Sequence, residues 1–164
     1  MDNTSIGLLA KKLKVSWPAI AASRAKSRSF RGTLSKLVHT VSPSGDVDFV
    51  AYGSIARGEA TSGSDVDWTL LIDGSVDGKH QSLKQEIADR LSQAAKKKTL
   101  KLPNPDGVFG RLTFSHDLVH KIGGGEDTNH NMTQRMLLLS ESIVCGSKGE
   151  CPSTGSEGSD STIS

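Results

Sequence analysis

Two short apolar runs and the segment joining them constrain this chain most. Residues 47–52 read Val-Asp-Phe-Val-Ala-Tyr and stop at Gly53-Ser54; residues 66–72 read Val-Asp-Trp-Thr-Leu-Leu-Ile and close at Asp73-Gly74. Both have strand length and are rich in β-branched and aromatic residues. In the first, Val47, Phe49 and Ala51 fall on one face and Val50 and Tyr52 on the other. Ten residues separate Ser54 from Asp65, and residues 58–64 read as a glycine-containing loop.

Helical spacing surrounds these strands. Leu8, Leu9 and Leu13 suggest a short first helix opened by Thr4 and Ser5. Ser16-Trp17-Pro18 reads as a second start, with the proline in the first turn. Phe30, Leu34, Leu37, Val38 and Val41 then form one apolar stripe. Leu83, Ile87, Leu91 and the Ala94-Ala95 pair mark a helix over residues 79–98. Residues 99–102 are expected as a short third strand, and residues 108–114 fit no one pattern. Ser115 is a candidate cap for a short helix holding Leu118, Val119 and Ile122. Met132, Met136, Leu137, Leu139 and Ile143 predict a last helix with a core-facing stripe. The resulting class is α/β (α+β), a small mixed β-sheet flanked by helices. Residues 1–45 supply N-terminal helices, 46–114 the sheet core and 115–145 C-terminal helices. Residues 146–164, glycine and serine with Ile163 as their one aliphatic residue, are expected to be a disordered tail.

Composition limits the partners. The chain has 164 residues, enough for one domain; its 35% apolar content and 17 glycines together reach about 45%, the usual globular level. A net charge of +2 is too small to indicate nucleic acid or an anionic membrane. Lys11, Lys12 and Lys14, and Lys96, Lys97, Lys98 and Lys101, lack interleaved aromatics and read as solvated helix ends. Cys145 and Cys151 form no CxxC pair, which fits a reduced, cytoplasmic setting. No apolar run approaches the roughly 18 residues that span a bilayer.

The chemistry concentrates between Phe49 and Asp73. Glycine at the end of an apolar strand lets the backbone turn sharply and a ligand approach closely. A short helix beginning at Ile55-Ala56-Arg57 leaves its first N–H groups pointing out of the turn, which favours phosphate. The Ser54 hydroxyl adds a donor there, and Arg57 offers a charge. Asp65 and Asp67 stand two apart, so their carboxylates project from one face while Val66 faces the other. Adjacent carboxylates repel unless a cation sits between them. Magnesium, held by carboxylates and substrate phosphates, resolves that conflict. A phosphate cradle beside a carboxylate metal site suits displacement at phosphorus.

Gly53-Ser54, the ten-residue gap and Asp65-Val66-Asp67 together resemble the signature of the DNA polymerase β-like nucleotidyltransferase superfamily. The closer form, Gly-Ser-x-x-Arg-Gly followed by Ser-Asp-x-Asp, resembles its small prokaryotic branch. That branch includes antibiotic nucleotidyltransferases, protein adenylyl- and uridylyltransferases and minimal antitoxin-type enzymes. Residues 123–135 are similar to a segment of bacterial nucleotidyltransferases of unassigned substrate. The resemblance implies that Gly53 and Ser54 bind a triphosphate, with Arg57 and Ser64 as further nucleotide contacts, and that Asp65 and Asp67 are catalytic and hold Mg2+. It implies a nucleoside triphosphate donor, ATP foremost, and an acceptor hydroxyl of unknown identity. Many members place a third carboxylate on a later strand; here residues 99–102 contain none, leaving Asp106 and Asp117 as candidates.

Blander roles stand beside these. Arg57 is equally an exposed helix residue, and Ser64 a cap for the turn before Asp65. His116 and His120 read as a surface pair, with no third ligand at supporting spacing. Asp127 and Thr128 read as caps of the last helix, and Trp68 as packing. Two functions follow: an enzyme transferring a nucleoside monophosphate with release of pyrophosphate, or a catalytically incomplete nucleotide-binding module, as a fragment or subunit of a larger nucleotidyltransferase.

Overall fold

The computed structural model describes residues 5–41, 45–74, 77–103 and 109–145. Among the described residues, six helices and four strands follow in the order α1 (Ser5–Leu13), α2 (Pro18–Val41), β1 (Val47–Tyr52), α3 (Gly53–Arg57), β2 (Trp68–Ile72), α4 (Gly78–Lys96), β3 (Arg111–Phe114), α5 (Ser115–His120), α6 (Asn129–Ser140) and β4 (Ser142–Val144). They build one mixed sheet in the order β3-β2-β1-β4. β1 is antiparallel to both neighbours, and β3 runs parallel to β2 after the α4 crossover.

The alternation read in the sequence sets the faces. Val47, Phe49 and Ala51 lie opposite Ile72, Leu70 and Trp68, and this face packs on α2 and α4 through Phe30, Leu34, Val38, Ile87 and Leu91. Each such aliphatic or aromatic side chain contributes about 1.5–3 kcal/mol by leaving water. Trp68 stacks on Phe49, with centroids 5.4 Å apart and planes at 15°, and is packing as expected. The opposite face carries Val50, Tyr52, Thr69 and Thr113, all buried. α6 reaches it through Gln134, whose Oε1 accepts a 2.9 Å bond from the Tyr52 hydroxyl.

Several expectations are corrected. Residues 99–102 form no strand; the Lys101 carbonyl accepts from Val66 N–H at 2.9 Å, and its ammonium donates to the Gly63 carbonyl at 3.4 Å. The third strand is Arg111–Phe114, and its core-facing pair Leu112 and Phe114 is what the sequence left unassigned. The last helix stops at Ser140, because Ile143 pairs with Ala51 in β4 rather than continuing a helical stripe. Met132 and Met136 are not core but 56% and 60% exposed. Gln134 takes the inward face of α6, since Tyr52 meets it there with a hydroxyl. Ser115 is the first helical residue of α5 rather than its cap, and its hydroxyl donates to Asp73 at 2.8 Å. Thr128 does cap α6, accepting from Asn131 N–H. The expected tail at residues 146–164 lies outside the described residues.

α4 has a cap of a different kind. Asp77 accepts from Lys79 N–H, and buried His80 returns the favour by accepting from Asp77 N–H through Nδ1. That leaves Nε2 as the protonated nitrogen, 3.3 Å from the Asp46 carboxylate.

Candidate active site

The site begins where β1 ends. Gly53 turns the chain with φ +66°, into the short α3, and Gly58 ends α3 with φ +79°. Both values lie in the left-handed region that glycine adopts freely, which accounts for the spacing of the two glycines. The turn is bracketed from α2. Buried Arg31 donates to the carbonyls of Ile55 (3.0 Å) and Ala56 (2.6 Å), placing its charge at the negative end of α3. Ser27 accepts from Ala60 N–H at 2.9 Å just beyond. From the other side, Glu141 at the end of α6 accepts Gly53 N–H through its carbonyl at 3.2 Å.

The dyad sits immediately before β2 rather than on it. Strand pairing starts at Trp68, yet Tyr52 N–H donates to the Asp67 carbonyl at 2.9 Å, so the ladder runs on. Val66 is fully buried on the core face, and Asp65 and Asp67 are both part-exposed. The side-to-side alternation expected for Asp-Val-Asp therefore holds. Gly53 closes on Asp67: a Cβ built on the glycine lies 3.3 Å from Asp67 Oδ2. The two halves of the sequence pattern thus meet.

The surroundings of Asp67 are partly apolar. Tyr52, whose N–H bonds the Asp67 carbonyl, packs its ring against Phe109 with centroids 5.8 Å apart. Burial, and then the neighbouring Asp65 charge, push the Asp67 carboxyl up to about 6. Burial likewise raises the Tyr52 phenol. Among the described residues neither Asp65 nor Asp67 has an ion-pair partner. Two adjacent, uncompensated carboxylates fit a hard divalent cation that completes its shell with water and phosphate oxygens. They do not make a closed protein cage, for no group of three or more acidic, histidine or cysteine side chains surrounds a metal position among the described residues.

The remaining candidates divide. Arg57 lies at the end of α3, paired with Glu59 at 2.8 Å and with Glu141. Ser64 is turned into its own loop, its hydroxyl accepting from Thr61 N–H at 3.0 Å. Asp117 is corrected: it lies past Phe114, which pairs with Ile72 at the far end of β2, roughly 15 Å from the dyad. It pairs with Lys121 at 2.9 Å and lines a hollow of about 520 Å³ with Asp73, Ser115 and His116. Asp106 lies outside the described residues. His116 and His120 are exposed, with rings 4.8 Å apart. Asp127 is bound by Arg135 and by Gly123 N–H, which hold its carboxyl below the usual range and tie α6 to the preceding loop.

Sequence reasoning missed Arg31, Tyr52, Phe109, Arg111, Gln134 and Glu141 as parts of this region. Reading residues 111–114 as a strand would have found Arg111. Arg31, Gln134 and Glu141 meet the site across long sequence separations that no local pattern encodes, whereas Tyr52 directly precedes Gly53.

The profile of the nucleotidyltransferase domain family matches residues 31–111, from the bracketing arginine of α2 to the first residue of β3. This stretch is a nucleotidyltransferase domain, of the kind found in the polymerase β-like superfamily, and the four-stranded mixed sheet agrees with it. Neither the search of curated proteins nor that of solved structures returns a match. No helix among the described residues is long and apolar enough to cross a membrane.

Proposed function

We propose that this chain transfers a nucleoside monophosphate from a nucleoside triphosphate, ATP foremost, to an acceptor hydroxyl, releasing pyrophosphate in a cytoplasmic setting. The observation that carries this reading is the contact of the Gly53 turn with Asp67. It sets amide donors and paired carboxylates within one ligand's span. Gly53 N–H is taken by Glu141, so the Ser54 and Ile55 amides and the Ser54 hydroxyl receive the β- and γ-phosphates. Asp65 and Asp67 hold Mg2+. When bound, the ion supplies charge stabilisation to the phosphoryl group in transfer. Arg57 reaches the phosphates by exchanging one carboxylate partner for them.

In the transfer the acceptor oxygen bonds to the α-phosphorus while the bond to the bridging oxygen breaks. The hydroxyl proton leaves to solvent. Tyr52 and Phe109 lower the local dielectric and so strengthen the electrostatics of the step.

Calorimetric titration with ATP, UTP, CTP and GTP, with and without Mg2+, tests this. Binding that requires Mg2+ and vanishes in the Asp65→Asn, Asp67→Asn double variant is expected. Equal binding by that variant would remove the metal assignment. A second reading, a binding module without turnover, is favoured by one observation: β3 brings Arg111, and no acid, to the dyad face. Release of pyrophosphate over time separates the two.

A further inference from the structure

Arg111 opens β3, the strand on the far side of β2 from β1. Its Cα pairs with Thr69 in parallel register, and Leu112 and Phe114 pack on the core. Arg111 therefore faces the same side as Thr69 and Asp67. Strands about 4.8 Å apart and two residues of about 6.7 Å place its Cα some 8 Å from that of Asp67, a diagonal that long side chains cross. The backbone is fixed there. Thr69 donates its hydroxyl hydrogen to the Arg111 carbonyl at 2.8 Å and accepts one from Thr113 at 2.8 Å, and both threonines are buried. Arg111 itself is exposed and makes no ion pair among the described residues.

The sheet order gives this cation a side. The Gly53 turn lies at the end of β1, on one flank of the dyad, and Arg111 on the other. Displacement at phosphorus keeps the attacking and leaving oxygens roughly in line. If pyrophosphate departs on the β1 flank, the acceptor enters on the β3 flank. We propose that Arg111 recognises the acceptor, and that the acceptor carries an oxyanion, phosphate or carboxylate, close to its reacting hydroxyl. A guanidinium fork matches either group with paired hydrogen bonds. The inference rests on the proposed transfer reaction and adds its acceptor class.

The test uses the full chain saturated with Mg2+ and the best-binding α,β-methylene nucleoside triphosphate. Calorimetric titration with glycerol 3-phosphate, glycerate and glycerol then reads the acceptor flank. At least one anionic probe is expected to bind and uncharged glycerol not to; the tighter anion distinguishes phosphate from carboxylate. Arg111→Gln is expected to weaken that probe about tenfold or more and to leave the nucleotide analogue's Kd unchanged. Unaltered probe binding in Arg111→Gln overturns the proposal. So does a matching loss of nucleotide affinity, which moves Arg111 to the donor. A wild-type chain that binds the analogue but no probe refutes the acceptor inference alone. One that binds no analogue refutes the reaction itself.

Discussion

Gly53 and Asp67 approach so closely that a single methyl on the glycine would stand 3.3 Å from Asp67 Oδ2. Gly53→Ala must also hold φ +66°, at a cost of about 1–2 kcal/mol. Chemical denaturation is expected to register that loss. Mg2+-dependent nucleotide binding should fall further than stability alone explains, because the carboxylate must move. Wild-type nucleotide affinity in Gly53→Ala would contradict the contact's role.

Asp67 gives stability a pH dependence of predictable sign. Its folded carboxyl holds a proton up to about pH 6, whereas the unfolded one releases it in the usual carboxylate range. Between those values the native state binds more protons, so this group's contribution falls as pH rises through about 4 to 6. After discounting for solvent screening of a part-exposed group, the loss is about 1–2 kcal/mol. Asp67→Asn should flatten that slope, and Mg2+ should raise Tm more at pH 8 than at pH 5. Thermal melts across pH, with and without Mg2+, measure both.

Arg31 is expected to be the most costly of the polar residues around the turn. Arg31→Ala removes the side-chain donor to the part-buried Ala56 carbonyl and leaves the Ile55 carbonyl only its 3.4 Å bond from Gly58 N–H. A loss of about 2–4 kcal/mol follows. Lysine carries the charge but not the fork, so Arg31→Lys should recover only part of it. Urea midpoints of the two variants give the comparison.

Tyr52 and Gln134 should show strong coupling. Their bond is buried, and Gln134 Nε2 has no hydrogen-bond partner among the described residues. Tyr52→Phe and Gln134→Met singly are each expected to cost about 1–2 kcal/mol, since each strands the other's polar group. The double variant should cost less than the sum, and a double-mutant cycle reads the difference.

Arg57→Ala tests the charge at the end of α3. Its ion pairs with Glu59 and Glu141 are part-exposed, so stability should change by less than about 1 kcal/mol. The Kd for nucleoside triphosphate should rise about tenfold, a charge-assisted bond's worth. An unchanged Kd would leave Arg57 a surface residue.

The strands around the turn and the dyad were legible because their information is local. Alternation in residues 47–52 and apolar content in residues 66–72 fix faces without reference to the rest of the chain. The short β3 and β4 were not, because four and three residues carry too little periodicity and are stabilised by pairing with distant partners. α6 misled for a related reason. Its methionines follow helical spacing, but a tyrosine hydroxyl on the sheet decides that Gln134 turns inward. Of the third-carboxylate candidates, Asp117 is set apart by topology: it follows a strand parallel to β2, so it emerges at the far end from the dyad.

The dyad's main chain is clasped by the sheet before β2 formally starts, with Tyr52 N–H on Asp67 and the Lys101 carbonyl on Val66. Residues 61–63, between the anchored Ala60 and the dyad, are exposed; Thr61 and Gly63 bond within the turn and to Ser64, and the Gly63 carbonyl accepts from Lys101 Nζ at 3.4 Å. The connection is therefore held mostly by its own turn, apart from one contact with Lys101, and the dyad is positioned mainly by the bonds on either side of it. In a chain built this way, the dyad's place is set mainly by the sheet and the Lys101 segment, not by the linker that carries it.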